Sequence, residues 1–197
     1  DPQPAPFPVE CQCSYRAVSH AKQWIDTLDR KSPFFLWLSF PEPHNPYQVP
    51  EPYFNMFPPE NLPPNASIAQ DGEKKGFKYR WIRKMWEKTI KGFQDTIPRT
   101  RSNYCGMLKL IDEQTERFVS FLDDTGLREN TIVVFLSDHG DYAGEYGLIR
   151  KGPGLPEVLC RIPFLITAPS VAPRGRVEDV HVSIADLFPT ICDAIQA

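Results

Sequence analysis

The amino-acid sequence predicts an α/β fold with a mainly parallel central sheet flanked by helices, and three observations carry that expectation. Amphipathic helical periods alternate with short, nearly unbroken apolar runs. Those runs, at 34–40, 131–136 and 162–167, have the length and the aromatic or β-branched content of strands covered on both faces, the habit of parallel sheets. With 197 residues, 41% of them hydrophobic, the chain can fill one sizeable core or two small ones.

Element by element, Tyr15 to Arg30 places Ala17, Val18, Ala21, Trp24, Ile25 and Leu28 at the three-and-four spacing of an amphipathic helix, stopped by Lys31-Ser32-Pro33. The run Phe34-Phe35-Leu36-Trp37-Leu38-Ser39-Phe40 is the first expected strand. Residues 41–100 form a long proline-rich excursion that contains a second helix over Tyr79–Gly92. There Trp81, Ile82, Met85, Trp86 and Ile90 oppose Arg83, Lys84, Lys88 and Lys91. Asn103 to Thr125 is the clearest helix, with a stripe of Tyr104, Met107, Leu108, Ile111, Phe118, Phe121 and Leu122 and a stop at Gly126. Thr131–Leu136 and Ile162–Thr167 are the second and third strands. A last helix opens near Ser183 and runs to Ile195, with Pro189 either kinking it or starting it afresh.

Composition removes several function classes. Twenty-two basic against twenty-five acidic residues give a net charge of −3, which disfavours a global polyanion-binding role, and the basic stretch from Lys74 to Lys91 reads as a solvated helix face. No run reaches the ~18 apolar residues of a membrane span. The opening Asp1-Pro2-Gln3-Pro4-Ala5-Pro6 lacks the basic start and apolar run of a signal peptide, and a start at Asp leads us to expect a chain that begins inside a longer protein. Five cysteines cannot all pair within one chain and are expected as ordinary thiols, Cys105, Cys160 and Cys192 as small core residues. The twenty-one prolines cluster near 2–8, 41–64 and 153–173, where they mark loops. Asn65-Ala66-Ser67 fits the short N-glycosylation triplet.

Chemistry gathers at strand ends, as open α/β sheets favour. The first strand leads into Pro41-Glu42-Pro43-His44-Asn45-Pro46-Tyr47, which holds an imidazole in a proline-stiffened loop. The second leads into Ser137-Asp138-His139-Gly140-Asp141, where a carboxylate and an imidazole emerge together. Asp138 by oxygen and His139 by nitrogen are candidate ligands for a divalent cation. Lys151 can bring an ammonium to an anionic substrate. Together these groups suit hydrolysis of an anionic ester, since a metal and an ammonium neutralise developing charge.

At these residues the sequence resembles the sulfatases of the alkaline-phosphatase-like superfamily. The matching stretches, in the family's order, are Pro33–Leu36 leading to Pro43–Tyr47; Asn103–Met107 with Ile111-Asp112; Ile132–Asp141; Gly144–Leu148 with Lys151-Gly152; Arg161–Phe164; and Ser183–Thr190. The resemblance implies that Asp138 and His139 ligate a divalent cation, usually calcium, and that His44 and Lys151 contact the sulfate and the leaving-group oxygen as catalytic and substrate-binding residues. The family nucleophile, a cysteine matured to formylglycine within Cys-x-Pro/Ala-x-Arg, has no counterpart here, and neither does the upstream Asp-Asp pair. The expectation is therefore a partial sulfatase catalytic domain over 1–197 whose N-terminal portion lies outside the sequence, inactive alone. The substrate implied is a sulfated small molecule or carbohydrate, with no nucleic-acid partner, and export is favoured. The competing expectations are a phosphodiesterase or phosphonate monoester hydrolase of the same superfamily, and a non-catalytic anion-binding remnant.

Overall fold

The computed structural model describes residues 3–152, 154–169 and 175–196. The first two residues of the proline-rich opening, and Pro153 and 170–174 within the third proline cluster, lie outside these. Helix α1, Cys13–Asp26, buries Val18, Ala21 and Ile25, the positions its spacing predicted. Ile25 meets Phe121 and Leu122, with Leu28, Phe34, Leu36, Phe118, Leu127 and Val133 packed around them. Each such apolar side chain taken from water contributes about 1.5–3 kcal/mol. Arg117 staples the same pair of helices by donating to the Tyr15 carbonyl (3.2 Å) and the Ser19 hydroxyl (2.7 Å).

A single-turn helix α2 (Tyr53–Met56), a short α3 (Ala69–Lys74) and α4 (Phe77–Thr89) occupy the proline-rich excursion. The long helix α5 runs from Phe93 to Asp124 and starts ten residues earlier than the sequence suggested. Pro98 sits inside it, where a missing N–H and the ring's bulk ordinarily break a helix. Buried Phe93 and Ile97 hold this first segment in the main core with Tyr47, Val49, Tyr53, Phe54, Met107, Leu110 and Ile149. At its other end Gly126, at φ +70°, closes the helix. Its N–H reaches the Asp123 carbonyl (3.0 Å) and the Leu127 N–H reaches Leu122 (2.9 Å), the paired bonds of a left-handed cap.

The sheet departs from the expected one. Among the described residues it has two strands, β1 (Val133–Leu136) and β2 (Phe164–Thr167), paired antiparallel with Leu136 opposite Phe164. A parallel pair needs a long crossover, usually a helix. Among the described residues of 137–163 there are instead loops, a 3-10 turn at Glu145–Gly147 and the one-turn helix α6 (Glu157–Cys160), with no crossover helix, and the chain returns in the opposite sense. The run 34–40 is extended but joins no ladder among the described residues, and its cover alternates: Phe34, Leu36, Leu38 and Phe40 are partly buried, whereas Phe35 and Trp37 are 73% and 69% exposed. It is therefore covered on one face rather than two. β2 also leaves Leu165 exposed.

Helix α7 (Leu187–Ile195) starts afresh with Pro189 in its first turn, after Ser183 and Asp186 exchange capping hydrogen bonds. All five cysteines are free; Cys160 is exposed rather than core. No helix among the described residues is long and apolar enough to cross a membrane.

Candidate active site

The loop that leaves β1 is shaped by its own polar groups. The Asp138 carboxylate accepts the His139 N–H at 2.9 Å, and the Ser137 hydroxyl donates to the His139 carbonyl at 2.8 Å. Gly140 then donates to the Leu159 carbonyl at 2.9 Å. A Cβ at position 140 would lie 1.9 Å from the Val158 carbonyl oxygen, so only glycine lets the loop seat against α6.

His139 is oriented by a carbonyl. Its Nδ1 lies 2.7 Å from the Gly140 oxygen, which can only accept, so Nδ1 carries the hydrogen and Nε2 presents a lone pair. That Nε2 stands 3.1 Å from the Lys151 ammonium and 3.5 Å from the second Asp138 oxygen. The structure thus brings together three of the four residues singled out from the sequence. The fourth, His44, is exposed in the neighbouring loop, with Nδ1 donating to the Asn45 carbonyl at 2.8 Å, and it contacts none of the other three.

A divalent cation fits the donor set in part. Asp138 supplies a largely exposed carboxylate and His139 a nitrogen whose partner on the far side of the ring is a backbone carbonyl, the usual outer support of a metal-bound imidazole. Among the described residues no group of three or more His, Cys, Asp or Glu side chains is arranged to hold a metal. The one lone pair on Nε2 also cannot serve a metal and the Lys151 ammonium together.

Two further residues, not singled out from the sequence, hold the site. The Asp141 carboxylate accepts the Tyr47 hydroxyl at 2.7 Å, the Ala143 N–H at 2.8 Å and the Arg150 N–H at 3.0 Å. The Tyr47 hydroxyl also accepts the Arg150 N–H at 2.9 Å, and the Tyr47 carbonyl accepts from the buried Asn103 amide on α5 at 2.9 Å. Burial first and the Asp141 carboxylate second push the Tyr47 hydroxyl far above the ordinary tyrosine range, and the same two causes push Tyr104 up to about 12. Tyr47 and Asp141 are 94 positions apart, so no local pattern could have paired them.

Glu145 gives the loop its second anchor, accepting from the Asn65 amide and from the Ala66 and Ser67 N–H groups. Asn65 also donates to the Ala143 carbonyl at 3.3 Å, so the glycosylation triplet is engaged inside the fold. Of two shallow cavities, one of about 290 Å3 lies between α3, the later half of α4 and the start of α5, and one of about 230 Å3 between residues 64–69, the start of α5 and Gly144 and Gly147. Neither is lined by His44, Asp138, His139 or Lys151.

Residues 12–197 match the model of the Sulfatase family, and the chain belongs to that family. It is 33% identical over 195 residues to an arylsulfatase of Clostridium perfringens, covering 91% of this chain and 39% of that one. It is 30% identical over 204 residues to the multifunctional alkaline phosphatase superfamily protein PehA of Trinickia caryophylli, covering 97% and 39%. The fold is shared with the phosphonate monoester hydrolase of Agrobacterium radiobacter, at a TM-score of 0.83 and 24% identity over 100% of this chain and 41% of that one. The chain therefore spans about two-fifths of the length of these relatives.

Proposed function

We propose that this chain contributes the Asp-His-Lys side of the active site in a hydrolase of sulfate esters, either small molecules or carbohydrates. The observation that carries the reading is the convergence of Asp138, His139 and Lys151 at the end of β1, within 3.5 Å of one another in sequence order, in a chain of the sulfatase family. Lys151 brings a positive charge to the end of β1, where a tetrahedral anion would bind, and its interaction strengthens as charge builds on the leaving oxygen. His44, held by its proline-stiffened loop with Nδ1–H committed to a carbonyl, leaves Nε2 for proton transfer, and it is as the imidazolium, with a hydrogen on both nitrogens, that it gives a proton to the departing alcohol. Asp138 and His139 would hold a divalent cation, calcium by the family's habit, which when bound supplies positive charge to a substrate oxygen. By the family's habit a formylglycine nucleophile would complete the site.

Hydrolysis of a phosphodiester or phosphonate monoester is the second reading, favoured by the 30% identity to a relative named as a multifunctional protein of the alkaline phosphatase superfamily. Assay of the intact protein on paired aryl sulfate and phosphonate esters decides between the two. In that protein Asp138→Ala is expected to lose the metal and all turnover, whereas Lys151→Ala and His44→Ala keep the metal and lose ~10²-fold in kcat. Wild-type turnover with a full metal complement in Asp138→Ala would refute the assignment.

A further inference from the structure

We infer that Tyr47 and Asp141 are positioning residues that fix the Arg150 backbone from which Lys151 reaches the site, an inference that rests on the reading of Lys151 as a site residue. The two side chains meet where three segments converge. Tyr47 lies three residues after His44, Asp141 two after His139, and Arg150 one before Lys151. The Arg150 N–H is shared between the Tyr47 hydroxyl (2.9 Å) and the Asp141 carboxylate (3.0 Å), while the Arg150 carbonyl accepts from the Tyr142 N–H at 3.0 Å. Both backbone polar groups of Arg150 are thereby committed.

That commitment matters because Arg150 sits at φ +65°, a left-handed conformation that opposes its side chain. A non-glycine residue stays there only when its surroundings over-determine it. The Tyr47–Asp141 pair supplies that determination from the N–H side, and the guanidinium stacked over Trp86 at 4.6 Å supplies it from the side chain. With the pair removed, residue 150 is free to return to negative φ, and the next side chain along the chain is Lys151, which swings with it. Tyr47 is itself fixed at both ends, its ring 6% exposed and its carbonyl tied to Asn103. The pair therefore refers the position of Lys151 to α5 through the loop that carries His44.

The test uses Tyr47→Phe, which keeps the ring and loses the hydroxyl, and Asp141→Asn, which keeps an acceptor and loses the charge, both in the intact enzyme. The expected result is a fall of about 10-fold or more in kcat, the effect of misplacing a catalytic group, with KM within about two-fold. In a Lys151→Ala background neither substitution should lower kcat further, because the group they position is gone. Losses that add fully to that of Lys151→Ala would overturn the inference, since a merely structural role is indifferent to the lysine. The crystal structure of Tyr47→Phe gives a readout independent of turnover: Arg150 at negative φ with the Lys151 side chain displaced from its wild-type position supports the inference, and an unchanged Arg150 φ refutes it. A wild-type enzyme without turnover on either ester would sink the functional reading, while this structure still decides the positioning.

Discussion

The site loop, residues 137–152, and the extended run 34–40 are both irregular segments without a ladder of their own among the described residues, yet they are held by opposite means. The loop is fixed by side chains reaching across to backbone groups: Asp141 and Glu145 together accept hydrogen bonds from Tyr47, Asn65, Ala66, Ser67, Ala143 and Arg150. The run 34–40 is held by the burial of alternate apolar side chains on one face, with Phe35 and Trp37 outside. Polar anchoring is directional and fixes a side chain to within tenths of an ångström, as a charge-bearing site requires. Apolar packing on one face holds a segment without specifying so closely what it presents on the other.

Gly140→Ala gives the sharpest break between the two, since the new Cβ would collide with the Val158 backbone 1.9 Å away. It is expected to cost about 3 kcal/mol or more in denaturant unfolding, as overpacking against a fixed partner does. Glu145→Ala should cost about 2 kcal/mol, because the Ala66 and Ser67 N–H groups lose a charged acceptor. A loss under about 0.5 kcal/mol would show that the loop is held elsewhere. In the run, Leu36→Ala should cost about 2 kcal/mol through its place beside Ile25 and Phe121. Trp37→Ser on the open face should stay within about 0.5 kcal/mol. Equal costs for the two would erase the one-sided packing.

Alkaline pH tests the loop in another way. Burial raises Tyr47 and Tyr104, so their folded forms keep the phenolic proton where an unfolded chain has lost it. The unfolded state then binds fewer protons, and stability must fall as pH rises above ~10, the ordinary tyrosine value. The contribution is constant below that pH. Absorbance at the phenolate band through thermal unfolding at pH 11 should show protons released with the transition, and fewer of them in Tyr47→Phe.

Much of this was readable in the sequence because it depends on local period. The helices α1, α4 and the later part of α5 follow from three-and-four spacing, and the Gly126 stop from the residue type that most readily accepts its φ. The cluster of Asp138, His139 and Lys151 was legible because all three flank one turn. The antiparallel pairing of β1 with β2 was not, since strand direction depends on the path of the connection and leaves no mark on the strands themselves. The first turns of α5 were hidden by Pro98, whose local penalty is outweighed by the burial of Phe93 and Ile97. Tyr47 and Asp141 escaped notice for a similar reason: a pair made by tertiary contact has no spacing to recognise.

Tyr146 stands at φ +57° between glycines 144 and 147, which also have positive φ, and its ring packs edge-on against Tyr79 and Tyr142. Its position admits two kinds of replacement and excludes a third. Asparagine or glycine would ease the backbone while surrendering the aromatic contact, and another flat ring would do the reverse. Valine, isoleucine or threonine would fail on both counts, because branching at Cβ is least tolerated in the left-handed region. Over generations of sequence drift, position 146 is therefore narrowed to residues without a branched Cβ, whatever chemistry the neighbouring site performs.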